Sequence, residues 1–119
     1  MPSIVMMLKR KPGMTMEEFK AHYENSHAAM AVKYQGHAIA DYRRSYVHTQ
    51  FNLDKFGDPD GEPAFDAVTV ISFDSDEQMA EFRKASAPHR AEFLADEFNF
   101  LDREKSFGFK ADLEISKLP

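Results

Sequence analysis

The stretch Ser3–Glu18, SIVMMLKRKPGMTMEE, sets the course of the fold because it contains a strand, a break and the start of a helix. Its first part, Ser3–Arg10, is short, apolar and rich in Ile, Val and Met, which predicts a β-strand. A Pro-Gly pair then ends the strand. Thr15 and Glu18 form a capping-box pattern, in which the hydroxyl and the carboxylate each bond a free amide at the start of a helix.

The remainder of the chain extends this beginning into the order β-α-β-β-α-β. The predicted elements are a helix over 16–34, a strand over 39–51, a loop over 52–64, a strand over 65–73, a helix that Ser75 caps and Pro88 kinks before it ends near residue 102, and a strand over 105–115. This is the split β-α-β pattern of an α+β, ferredoxin-like fold. Right-handed crossovers place both helices on one face of a four-stranded antiparallel sheet, with the first and third strands at its centre.

Both central strands are apolar on both faces. In the first strand Ile4, Met6 and Leu8 lie on one side, with Val5 and Met7 on the other. The two helices can cover only one of these faces. We therefore expect the other face to pack against the same face of a second copy, which gives a homodimer with two-fold symmetry.

The composition is that of one globular domain, residues 1–119. The absence of cysteine excludes disulfides, thiolate nucleophiles and cysteine-bound metals. A net charge of −5 and the lack of a basic stripe disfavour a nucleic-acid partner. No apolar run is long enough to span a membrane, and we expect a cytoplasmic protein. Eleven Phe and seven Met residues indicate a soft apolar interior, which also suits a pocket for a hydrophobic ligand.

The first helix carries the first candidate site residues. Phe19, Tyr23, His27 and Met30 recur at helical spacing, so this stripe is predicted to face the sheet. At about 100° per residue, His22 lies about 140° from His27 and is expected to face elsewhere, which also disfavours a shared metal ion. His27 has two interpretations: a core histidine bonded to a backbone carbonyl, or a general acid or base that titrates near neutral pH.

The second strand offers a further pair of candidates. Tyr46 and His48 lie on the same side of this strand because residues two apart share a face. If that side faces the helices, both side chains reach the volume around His27. The alternative is an edge strand with one wet face and aromatic cross-strand pairs.

The second helix combines a predicted core stripe with acidic residues. Leu94, Phe98 and Leu101 are spaced to face the core. Asp96 and Glu97 cannot both point inward, and Glu97 is expected on the solvated face.

Several of these motifs together resemble the EthD-domain family. They are Leu8–Thr15 (LKRKPGMT), Glu18-Phe19, Tyr23-Glu24-Asn25, His27-Ala28, Phe65-Asp66, Asp96-Glu97, Phe100 and Asp102. The resemblance implies a dimeric α/β-barrel and, because the family's helix-one histidine falls on His27, a functional role for this residue. The chain departs from many relatives at Ala29, where they have proline.

The resemblance and the residues favour a small cofactor-independent enzyme, of the decarboxylase, isomerase or cyclase type. Its substrate would be a hydrophobic aromatic, polyketide-like or lactone metabolite, and no metal is expected. His27 would move a proton next to a carbonyl while Tyr46 or His48 bonds the developing enolate. The predicted substrate contacts are Tyr23, Phe19, Met30 and Phe98. Two alternatives stay open: a cofactor-free oxygenase, in which the anion meets dioxygen directly, and a non-catalytic protein that binds or carries a hydrophobic metabolite.

Overall fold

Four strands form one antiparallel sheet in the computed structural model, which describes residues 1–119. The strands are β1 (Pro2–Leu8), β2 (Asp41–Tyr46), β3 (Ala67–Ser72) and β4 (Phe107–Asp112), in the order β2-β3-β1-β4. The predicted central position of β1 and β3 is confirmed. β2 and β4 are shorter than predicted because their partners end: Tyr46 pairs with the first residue of β3, and Asp112 pairs with the first residue of β1.

Two helical segments cover one face of this sheet. The first consists of α1 (Met16–His22) and α2 (Ala28–Gln35), joined by a π-helical turn over Tyr23–His27. The second consists of α3 (Asp76–Ser86) and α4 (Arg90–Phe100), joined by a 3₁₀ turn over Ala87–His89. No helix has the length and apolar character needed to cross a membrane.

The helix starts are those that the sequence predicts. The Thr15 hydroxyl accepts a hydrogen bond from the Glu18 amide, and the Glu18 carboxylate accepts one from the Thr15 amide, both at 3.1 Å. Ser75 accepts a bond from the Gln78 amide at 3.1 Å and caps α3. Each cap satisfies amides that have no partner inside the helix.

The π-helical turn shifts the buried stripe of the first segment by one position. Phe19 and Tyr23 are fully buried, as predicted. Met30 is only partly buried and lies beside the stripe instead of on it. The wider turn adds one residue before α2, so the buried positions beyond it are Ala28, Ala31 and Gln35.

α4 presents a different stripe to the core from the one predicted. Asp96 and Phe100 are buried, whereas Leu94 is 39% and Phe98 is 57% exposed. The prediction that Leu94 and Phe98 face the core is therefore wrong, although Leu101, just after α4, is buried as predicted. The buried stripe of α4 contains a carboxylate, Asp96, so a prediction based on hydrophobicity favours the neighbouring stripe instead.

The main hydrophobic core lies between the sheet and the two helical segments. Aromatic rings from α1, the π-helical turn and α4 pack on small and aliphatic residues at one end of β1 and β3. The cluster consists of Leu8, Phe19, Tyr23, Ala28, Ala67, Phe100 and Leu101.

The opposite sheet face is apolar and uncovered in the protomer. Antiparallel pairing aligns its side chains in two rows that cross β4, β1 and β3. The rows are Phe109, Val5 and Val70, then Phe107, Met7 and Val68. Both phenylalanine rings on β4 are more than half exposed.

Candidate functional site

Asp96 is a buried carboxylate that three side chains of the first helical segment contact. His22 Nε2 lies 2.9 Å from its Oδ1, and the Ser26 hydroxyl donates to the same oxygen at 2.8 Å. His27 Nδ1 lies 3.0 Å from Oδ2. Only 8% of Asp96 is exposed. The carboxylate therefore joins α4 to the first helical segment and uses both of its oxygens to do so.

The π-helical turn brings the two histidines together. His22 and His27 are five residues apart, which in an α-helix of about 3.6 residues per turn leaves them about 140° apart. A π-helical turn is closed by bonds between residues five apart, and here the Ala28 amide donates to the Tyr23 carbonyl. A separation of five residues thus becomes one turn. The prediction that His22 faces away from His27 is wrong for this reason.

The ionisation of Asp96 sets the tautomer of His27. Burial raises the pKa of Asp96, but hydrogen bonds from Ser26, His22 and His27 outweigh burial and hold this pKa below its usual value. An ionised carboxylate only accepts hydrogen bonds, so each histidine presents an N–H to it. Neutral His27 then carries its proton on Nδ1. Its Nε2 is left as an unprotonated nitrogen that can accept a proton.

Aromatic side chains hold both imidazole rings in place. The His22 ring stacks on Phe100 with centroids 5.0 Å apart. The His27 ring contacts Phe100 at 5.1 Å, Phe93 at 5.5 Å and Tyr23 at 5.9 Å. Such packing fixes the ring planes and keeps His27 in the geometry that Asp96 requires.

A cavity of about 200 Å³ borders His27 on the sheet side. Its apolar walls are Met6, Leu8, Tyr23, Phe100, Leu101 and Phe107. The polar side chains on its wall are His27, Glu97, Arg103 and Ser106. Glu97 and Arg103 form an ion pair with Nε 3.2 Å from Oε1. Because Asp96 binds Nδ1 of His27, Nε2 is the ring nitrogen available to a ligand in this cavity.

The structure brings some of the predicted site residues together and separates others. Tyr23 and His27 border the cavity. Phe19 is fully buried behind it, with its ring centroid 6.3 Å from that of Tyr23. Met30 and Phe98 do not border the cavity, and Phe98 lies largely in solvent.

The two candidates of the second strand have different surroundings. β2 turns Tyr46 toward the helices, where its ring packs 6.2 Å from that of Tyr23. His48 lies beyond the end of β2, is exposed, and makes no side-chain hydrogen bond. Tyr46 therefore reaches Tyr23, as predicted, but neither Tyr46 nor His48 borders the cavity beside His27 in the protomer.

The Tyr46 hydroxyl belongs to a second polar cluster, centred on Glu24 of the π-helical turn. Arg44 binds both oxygens of Glu24, at 2.6 and 2.8 Å, and Tyr46 donates a hydrogen bond to the same carboxylate. The Arg44 hydrogen bonds lower the pKa of Glu24 to about 2, against a smaller opposing effect of burial. Burial, and then the bond to Glu24, raise the pKa of Tyr46. This cluster ties the π-helical turn to β2.

Sequence reasoning missed the residues that complete the candidate site. The sequence pattern places Asp96 on a helix without indicating a partner, and regular helical spacing predicts the wrong face for His22. Arg103 follows α4 and carries no sequence signal of its own. The available signal was the helical spacing of Asp96 with Phe100, four positions on, which places the carboxylate on an aromatic stripe.

Comparisons with known proteins agree with this architecture. The model of the EthD domain family matches residues 11–104. Among solved structures, an EthD-like protein from Ralstonia eutropha JMP134 has a TM-score of 0.69 and 24% identity, over 98% of this chain and 94% of that chain. A protein from Arabidopsis thaliana has a TM-score of 0.62 and 18% identity, over 99% and 100% of the two chains. No curated protein matches the sequence of this chain significantly.

Proposed function

The chain belongs to the EthD domain family, and on that premise we propose that it is a cytoplasmic, cofactor-independent enzyme in which His27 transfers a proton. The observation that carries the proposal is the bond between His27 Nδ1 and Asp96, which leaves Nε2 free beside a cavity with apolar walls. A histidine oriented by a buried carboxylate is a common general base.

In the proposed step, His27 Nε2 takes a proton from the carbon next to a substrate carbonyl. The C–H bond breaks, an N–H bond forms, and the electron pair moves to the carbonyl oxygen to give an enolate. The Asp96 carboxylate stabilises the imidazolium that results. Return of the proton to another carbon completes an isomerisation. The same enolate also arises by loss of carbon dioxide and is the nucleophile of a cyclisation.

The cavity wall indicates how the enolate would be stabilised and what the substrate would be. The Arg103 guanidinium is the positively charged donor on this wall. Arg103 is paired with Glu97, and its remaining N–H groups would donate to the developing oxyanion, which lowers the barrier to its formation. The remaining walls are aromatic and aliphatic, which suits an aromatic, polyketide-like or lactone substrate.

A model carbon acid tests the proposal without knowledge of the natural substrate. We expect the protein to catalyse deuterium exchange at the acidic carbon of 2-tetralone, a bicyclic aromatic ketone, as followed by NMR in heavy water. His27→Ala should reduce the rate by about 10²–10⁴-fold, the usual contribution of a general base. Asp96→Asn should also reduce it, because an amide can donate to Nδ1 and so favour the tautomer with its proton on Nε2.

Two other histidines provide matched controls. His37 is on the surface and His48 is exposed beyond β2, so replacing either by alanine should leave exchange unchanged. Exchange no faster than with free imidazole, or an unaffected rate in His27→Ala, would contradict the proposal. Consumption of dioxygen with the same dependence on His27 would instead support the oxygenase reaction.

We further propose that the protein is a homodimer through the uncovered sheet face. Phe107 supports this because it lies in a row of that face and also borders the cavity. A partner that covers the face would contact Phe107 and exclude water from one wall of the site. Burial of two apolar rows is the usual way in which such a sheet is stabilised.

A further inference from the structure

We propose that a groove beside the His27 cavity binds an anionic group of the substrate, a carboxylate or a phosphate attached to an apolar body. This inference rests on the proposed function, since it assigns the apolar body to the cavity. The groove has a volume of about 600 Å³ and lies where α3 ends and α4 begins. Its charged and polar side chains are Arg83, Arg90, Arg103, Glu97, Gln35 and Ser86.

The charge of the groove is the first argument. Three guanidinium groups line it, but it holds a single carboxylate, Glu97, which pairs with Arg103. Arg83 and Arg90 are exposed and have no carboxylate within salt-bridge distance. The groove is thus locally positive although the chain as a whole has a net charge of −5. Guanidinium groups bind carboxylates and phosphates through paired hydrogen bonds.

The position of the groove is the second argument. Glu97 and Arg103 border both the groove and the cavity, so the two spaces meet at this ion pair. The cavity alone, at about 200 Å³, is smaller than the roughly 300–1,000 Å³ typical of ligand sites. A ligand of ordinary size would therefore extend beyond the cavity, and a ligand that passes Glu97 and Arg103 would place its free end near Arg83 and Arg90.

Binding of three naphthalene probes tests this assignment. The chain has no tryptophan, so naphthalene fluorescence can be followed with little background. We expect 2-naphthoate and 2-naphthyl phosphate to bind more tightly than the neutral 2-naphthalenemethanol. The double variant Arg83→Gln/Arg90→Gln should weaken binding of the anions by about tenfold or more, as loss of charged hydrogen bonds does, and leave the neutral probe unchanged. The ratio of the two anions distinguishes a carboxylate site from a phosphate site.

Lys84→Gln is the matched control because it removes a neighbouring positive charge of α3 that does not line the groove. It should leave the affinity for both anions within about twofold of wild type, since exposed charges act weakly at a distance. Equal affinity for the neutral and anionic probes, or an equal effect of the control, would overturn the inference. Its failure is separate from that of the proposed function: anion binding that depends on the arginines, without deuterium exchange, would reject only the proton transfer.

Discussion

A carboxylate that is removed from water destabilises a fold unless hydrogen bonds compensate for its lost hydration. Asp96 obtains that compensation from His22, Ser26 and His27. Its pKa lies below the usual value despite burial, so its contribution to stability is complete above the pKa of the unfolded chain. That contribution is lost as the pH falls through the lowered pKa. The Asp96 carboxylate, which orients His27, therefore also makes the stability of the fold sensitive to acid.

Glu24 allows a sharper test of how a hydrogen-bonded carboxylate makes the stability of the fold depend on pH. Its pKa falls from 4.5 to about 2 because of the hydrogen bonds from Arg44, so its stabilising effect is present above pH 4.5 and disappears as the pH drops to about 2. Its side chain is 34% exposed, and solvent screening limits the effect. We expect Glu24→Gln to lower the free energy of unfolding by roughly 1 kcal/mol at neutral pH.

Urea denaturation across a pH series measures this difference. The gap between wild type and Glu24→Gln should narrow below pH 4.5 and close near pH 2, where Glu24 becomes protonated. Glu62→Gln makes the same chemical change at an exposed loop position and should show no such gap. A difference that is constant with pH would mean that packing, and not the charge of Glu24, causes the loss of stability.

At the scale of elements, capping could be read from the sequence and the π-helical turn could not. Thr15 and Ser75 mark helix starts because a cap is a local contact between residues close in the chain. The π-helical turn has no comparable local signal, since its extra residue is accommodated by contacts of Tyr23 and His27 with other elements. The buried face of α4 also lacks a local signal, because the hydrogen bonds that compensate Asp96 for its burial come from the first helical segment.

Deletion of Asn25 tests whether the π-helical turn is a one-residue insertion in an otherwise regular helix. Asn25 is exposed within the turn. Its removal would place His22 and His27 four positions apart, which in an α-helix is still one face. We expect the free energy of unfolding to change by less than about 1 kcal/mol, because the regular helix also lacks the poorly favoured π geometry. The histidine contacts with Asp96 should persist in NMR spectra.

Deletion of the exposed Lys84 is the control, because α3 has no extra residue to absorb the change. It should rotate the following residues by about 100°, break the contact between Ser86 and Gln35, and cost several times more stability. Equal destabilisation by the two deletions would show that the π-helical turn is required for packing in its own right.

At the scale of the whole molecule, the alternation of apolar side chains was sufficient to predict the uncovered face. Val5 and Met7 are apolar where a sheet exposed to water would have polar residues, and pairing with β3 and β4 extends them into two rows. The sequence could not predict the cavity beside Arg103, because that site depends on how residues after α4 pack against β1 and β4. The periodicity of apolar residues thus predicts which faces of the sheet pack, but it does not predict the cavities that form between packed elements.

The homodimer is tested by placing a charge in one apolar row, at its β4 end. Phe109 pairs with Val5 and is 54% exposed in the protomer, so Phe109→Lys should leave the protomer folded. A lysine there would have to be buried without a partner in the dimer, which opposes association. Sedimentation should give a dimer for wild type and a 13.6 kDa monomer for the variant at micromolar concentration.

Val32→Lys introduces the same charge at an exposed apolar position of α2, on the other side of the molecule, and should remain dimeric. A wild-type monomer, or a Phe109→Lys variant that stays dimeric, would contradict pairing through this face.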